Sequence, residues 1–178
     1  MIILDTETTN LAAPEAAPIE QQPWVTEFAA IKVDDKTLKE LERLEFMCRP
    51  KVPIPSEAVQ ITGITNEMVK DKPPFSAFVP RLIDFFLGER CMVAHNMSYD
   101  STVLRHELNR LGRVTSFPWP PQQYCSVELT LHLKGYRLNL GALYEIATGS
   151  QIKEAHRAMA DVESLFKVVK WLRKQRIL

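Results

Sequence analysis

The sequence predicts an α/β fold, a central mixed β-sheet flanked by α-helices, and three observations carry that expectation. Strand-like apolar stretches come first along the chain, short buried runs then alternate with helical stripes, and a hydrophobic content of 46% can fill one core without disulfides. The 178 residues are therefore expected to form a single domain, 1–178. Met1 to Leu4 is an apolar run ending in Asp5, as a central strand would. Trp24 to Val33 and Leu41 to Cys48 are two further strand-like stretches, joined by the polar Asp34-Asp35-Lys36 as a hairpin. Between them, residues 11–23 are rich in Ala and Pro without periodicity, which predicts a surface loop and a candidate mobile lip beside Asp5 and Glu7.

From Phe75, the residues Phe78, Val79, Leu82, Ile83 and Phe86 follow helical spacing as far as Gly88, with Pro80 near the helix start. Cys91 to Ala94 is a short buried strand that leads into a helix with the stripe Val103, Leu104, Leu108 and Leu111, ended by Gly112. Tyr124 to Leu133 is compatible with strand or helix. Asn139 to Ala147 predicts a short helix. Arg157 to Arg176 predicts a long one with the core stripe Ala158, Val162, Leu165, Phe166, Val169 and Leu172.

Composition narrows the function classes. The 22 basic residues balance 22 acidic ones, so a nucleic acid partner would be held by a local patch and by metal ions, without help from overall charge. Cys48, Cys91 and Cys125 lie far apart with no CxxC pair, which predicts reduced thiols. No apolar run approaches the roughly 18 residues that cross a bilayer, and no signal peptide is evident, so a soluble, cytoplasmic protein with no membrane partner is expected.

The chemistry gathers in carboxylates. Asp5 and Glu7 are two residues apart at a strand end, so strand alternation points both to one face, where two anions favour a divalent cation between them. By itself a DxE pair is more often a solvated strand terminus. Asp100 lies beside the inward stripe of its helix, a position that a capping carboxylate also explains. Asp161 shares the core-facing side of the last helix with Ala158, Leu165, Val168 and Leu172, and a lone charge there would be costly. His156 precedes it by five residues. A histidine before a helix is usually a capping or surface residue, yet with an ordinary pKa of roughly 6.5 it also suits a general base.

Asp5-Thr6-Glu7-Thr8-Thr9, the segment from His95-Asn96 to Tyr99-Asp100, and His156 with Asp161 together resemble the three motifs of the DEDDh (DnaQ-like) 3′→5′ exonucleases. That family includes the proofreading subunit of bacterial replicative polymerase, the three-prime repair exonucleases, ribonuclease T and oligoribonuclease. The resemblance spans nearly the whole chain in the family's motif order. Arg157 stands where the tyrosine branch would want Tyr, which favours the histidine branch. Ile54 to Thr65 resembles the family's substrate-side loop. Many members carry Gly at the position of Asn10 and His at that of Thr62.

The resemblance implies a ribonuclease H-like fold and a free-standing, metal-dependent 3′→5′ exonuclease that releases nucleoside 5′-monophosphates, with DNA favoured. Asp5, Glu7, Asp100 and Asp161 would hold two Mg²⁺ ions about 4 Å apart, with Mn²⁺ as a substitute, and His156 would take the proton from the attacking water. Thr8, Leu11, Ile61 and Tyr99 would contact the terminal nucleotides of a single-stranded or 3′-ended partner. For Leu11 and Ile61, plain core packing is an equal alternative. The competing functions are an exoribonuclease of the ribonuclease T or oligoribonuclease type, an idle nucleic-acid-binding module, and an endonuclease or strand-transfer domain with a similar acidic cluster. Basic residues on the last helix, such as Lys167 and Arg173, could touch phosphate, although such residues are more often a solvated helix face.

Overall fold

Ile2, Ile3 and Leu4 lack any turn residue after them, and the strand they begin does not stop at Asp5. In the computed structural model, which describes residues 1–152 and 157–178, β1 (Ile2–Thr8) runs through both carboxylates. A loop with one 3₁₀ turn at Ile19–Gln21 leads to β2 (Val25–Val33), and β3 (Glu40–Met47) follows as the second arm of the expected hairpin. Then come α1 (Ser56–Thr62), α2 (Asn66–Val69), a 3₁₀ turn at Phe75–Phe78 and α3 (Val79–Phe86). Next are β4 (Cys91–Ala94), α4 (Met97–Arg110) and β5 (Gln122–Cys125). The order ends with α5 (Ser126–Leu129), α6 (Leu131–Lys134), α7 (Leu140–Thr148) and α8 (Ala158–Lys174).

The sheet order is β3-β2-β1-β4-β5, with β2 antiparallel to β1 and β3, and with β4 parallel to β1 and β5. It is the mixed sheet with flanking helices that the sequence predicts. Strand alternation sends Ile2 and Leu4 into one layer with α3, α4 and a phenylalanine cluster, in which Phe28 stacks on Phe46 at 5.3 Å and Phe86 meets Phe117 at 5.0 Å. Met1 and Ile3 face the other layer, built from α7 and α8. All six predicted core residues of α8 are buried there. Ile54, Ala58, Ile64 and Val69 form a small satellite core under α1 and α2.

Four local readings are changed or made definite by the fold. Ile54 to Thr65 is largely helix α1 rather than loop: Pro55 precedes its first turn, and Gly63, at φ 70°, ends it in the left-handed conformation that glycine adopts freely. Pro80 interrupts nothing, because it sits at the start of α3, where a helix has no N–H bond to lose. Leu111 is the C-cap of α4 and leaves the inward stripe, being 38% exposed. Tyr124 to Leu133 is both strand and helix, since β5 ends at Cys125 and two single-turn helices follow. The loop of residues 11–23 is fastened at its far end, where Arg110 donates to the carbonyls of Ile19, Gln22 and Pro23. No helix among the described residues is long and apolar enough to cross a membrane.

Asn139 starts α7 by accepting the Ala142 N–H on its side chain at 2.8 Å. Asn139→Ala is therefore expected to cost about 1 kcal/mol of stability. Urea unfolding measures it, and an unchanged midpoint would contradict the capping role.

Candidate active site

Asp5 and Glu7 project from the same face of β1 as Ile3, toward the layer that holds α8. Asp161 lies in the first turn of α8, which packs on that face. One carboxylate oxygen from each of Asp5, Glu7 and Asp161 falls within 4.8 Å of the others, and all three residues are half-buried. Asp100 approaches from the opposite layer. It occupies the first turn of α4, is 2% exposed, and accepts a 2.8 Å hydrogen bond from the hydroxyl of Thr6, the residue between the two β1 carboxylates. The strand thus draws acids from both helical layers to one end of the sheet. Of the five residues predicted to be catalytic, the four acids meet here. His156 lies outside the described residues.

The electrostatics follow from burial and crowding. Burial first, and then the charges of Asp100, Glu7 and Asp161, hold the Asp5 carboxyl well above the usual carboxylate range. Glu7 is pushed up to about 8, mainly by burial and then by Asp161, Glu27 and Asp100, while Arg157 works against the shift. Burial raises Asp100 to about 7 against the opposing hydrogen bonds from Thr6 and the backbone. Asp5, Glu7 and Asp161, whose oxygens converge and of which the first two are raised by burial and crowding, form a hard, all-oxygen donor set. That set fits a divalent cation such as magnesium or manganese, whose charge would replace the protons.

Beside the acids lies a cavity of about 280 Å³ whose lining includes Thr8, Leu11, Ile61 and Tyr99. Leu11 is 78% exposed and Ile61 59%, so core packing does not explain either side chain. The Tyr99 hydroxyl is engaged within the protein. It is 2.5 Å from the Thr8 hydroxyl and donates to the Asn10 carbonyl at 2.7 Å, tying α4 to the end of β1. Burial pushes this phenol up to about 12, so it stays neutral.

Two residues beside the acids escape a sequence reading based on motifs. Glu27 is 1% exposed in the middle of β2, and Arg157 donates to it through Nε and Nη2, the latter at 2.6 Å. The available signal is a lone acid inside the apolar run from Val25 to Val33, which a buried strand tolerates only with a partner.

Comparison with known proteins agrees with this architecture. The exonuclease family model RNase_T matches residues 2–169. The chain is 35% identical over 112 residues to the DNA polymerase III subunit epsilon of Rickettsia prowazekii (strain Madrid E), covering 63% of this chain and 45% of that protein. It spans less than half the length of the curated relatives it matches. Among solved structures, exonuclease X in complex with 5′ overhanging duplex DNA is 25% identical, with a TM-score of 0.65, over 98% of this chain and 92% of that one. The nuclease domain of 3′hExo, a DEDDh family member bound to rAMP, is 17% identical with a TM-score of 0.77, over 98% and 91% of the two chains, and shows the shared fold. With its acidic cluster at the end of β1 and the ribonuclease H-like sheet around it, the chain belongs to the RNase_T exonuclease family.

Proposed function

We propose that residues 1–178 act as a single exonuclease domain that removes nucleotides from a 3′ end with divalent metal, releasing nucleoside 5′-monophosphates. The observation that carries this reading is the convergence of Asp5, Glu7 and Asp161 within 4.8 Å at the edge of an open apolar cavity. These three acids, with Asp100, would hold Mg²⁺ or Mn²⁺. When bound, the metal supplies an activated water and charge stabilisation for the leaving 3′ oxygen. The protein's own groups do the rest. Leu11 and Ile61 offer exposed apolar surfaces to the terminal bases, and apolar contact is indifferent to base identity, so sequence preference is slight. The Thr8, Asn10 and Tyr99 network holds the rim that receives the 3′ end. His156, by resemblance to the histidine branch of the family, takes the proton from the attacking water.

DNA is the favoured substrate, supported by the likeness to a replicative polymerase subunit and to a nuclease bound to duplex DNA. A ribonucleotide occupies one structural neighbour, which keeps the exoribonuclease as the second reading. The test is digestion of 5′-labelled DNA and RNA of one sequence with magnesium or with chelator. A metal-dependent ladder that shortens from the 3′ end supports the proposal and ranks the sugars. Binding without cleavage of either strand overturns it in favour of a binding module.

The cavity carries its own prediction. Ile61→Ala and Leu11→Ala are each expected to raise KM about five- to tenfold, with kcat little changed, because each removes roughly 1 kcal/mol of apolar contact with substrate. Steady-state kinetics on a short oligonucleotide measures the split, and an unchanged KM in both variants would remove these residues from the binding surface.

A further inference from the structure

Glu27 stands directly across from Glu7 in the β1 and β2 register, so two carboxylates face the same layer on neighbouring strands. Like charges in that arrangement destabilise a sheet. Glu27 is held there by donors from one place, the start of α8. The Arg157 guanidinium donates from Nε at 3.1 Å and from Nη2 at 2.6 Å, and the Ala158 amide donates at 3.0 Å. Ala158 is the first residue of α8, and the Arg157 carbonyl accepts the Asp161 N–H at 3.0 Å. His156 directly precedes Arg157 in sequence. A buried carboxylate paired in this way is a poor device for stability, since an apolar residue of similar size often serves as well or better. It is a good device for placing one backbone against another.

We propose that Glu27 and Arg157 are positioning residues: the β2 carboxylate clamps the first turn of α8 so that Asp161 meets Asp5 and Glu7 in one cation site. This deepens the proposed exonuclease function and rests on it for its catalytic consequence. Neither residue touches the reacting atoms. The clamp acts through Asp161.

The test uses the full chain as wild type, Glu27→Gln, Arg157→Ala and Arg157→Lys. It reads Mn²⁺ affinity by electron paramagnetic resonance, kcat and KM on a labelled oligonucleotide, and the melting temperature. Partners that orient metal ligands typically matter 10- to 100-fold, so Glu27→Gln and Arg157→Ala are each expected to lower kcat by roughly that factor and to weaken Mn²⁺ binding about tenfold. KM should stay within about threefold, and Arg157→Lys should recover only part of the loss, because lysine keeps the charge but loses the planar fork. Charge alone makes a different prediction. Removing an anion weakens Mn²⁺ binding and removing a cation strengthens it, so opposite shifts in Glu27→Gln and Arg157→Ala overturn the clamp. A lower melting temperature with unchanged kcat and unchanged Mn²⁺ affinity overturns it as well. If Glu27→Gln does not fold, Arg157→Ala decides the matter, since that side chain is 47% exposed. If the wild type cleaves no nucleic acid, the proposed function fails while the Mn²⁺ comparison still decides the clamp.

Discussion

Replacing Asp5 by Asn is expected to lower the rate of 3′-end hydrolysis by roughly a thousandfold or more and, in the same molecule, to raise the melting temperature of the metal-free protein. The first effect follows from loss of a cation ligand at the point where Asp5, Glu7 and Asp161 converge. Charge stabilisation by a bound metal is worth several kcal/mol, and each 1.4 kcal/mol, about, is a factor of ten in rate. The second follows from the same geometry. Asp5 sits half-buried among Asp100, Glu7, Asp161 and Glu27, which oppose its ionisation, and asparagine keeps the shape without the charge. Oligonucleotide kinetics and thermal unfolding in chelator are the two measurements. Lost activity with a lower melting temperature would point to general damage of the fold. Retained activity would remove Asp5 from the metal site.

The second large effect is a pH dependence that metal reverses. Glu7 and Asp100 rise from ordinary values of 4.5 and 3.8 to about 8 and about 7 in the folded chain, mainly through burial. The folded state therefore binds these protons more tightly than the unfolded state does. The stability they contribute is complete below the ordinary values and is lost as pH climbs through the folded ones. In chelator, the melting temperature is expected to fall between about pH 5 and pH 8, by on the order of 5 to 10 °C at this chain size. Magnesium or manganese should flatten that fall at the alkaline end, because a cation that binds only the folded, ionised cluster stabilises it by mass action. A melting temperature that rises over this range in chelator would show that the acids do not hold their protons in the fold.

Much of this was legible from residue order. Asp5 and Glu7 share a face because strand alternation requires it, and the stripe of α8 follows from spacing alone. The layer architecture came from the order of strand-like and helical patterns. The failures share a cause. Gln122 to Cys125 is a four-residue strand of mostly polar composition, and its identity depends on pairing with β4, which no local pattern encodes. Ile54 to Thr65 was expected as a loop by family resemblance, although the helix within it is fixed by burial of Ala58 and by its glycine cap. Glu27 was invisible as a partner because Arg157 is far along the chain, and only the folded sheet brings the two together. The exposure of Leu11 and Ile61 is likewise a tertiary fact, since apolar identity alone does not distinguish a core residue from a binding surface.

The division of the acids between β1 and two helical layers has a consequence for when the proposed centre can exist. The first two carboxylates lie on β1 and the last on α8, whose docking on β1 brings together segments about 150 residues apart. Pairings of such long range form late, after the intervening segments have ordered. A partly unfolded chain carries the motif but has no assembled cluster, so the proposed hydrolysis would be licensed by completion of the fold itself. Proteolytic loss of the last helix would remove Asp161 and leave the acidic cluster incomplete in the same way.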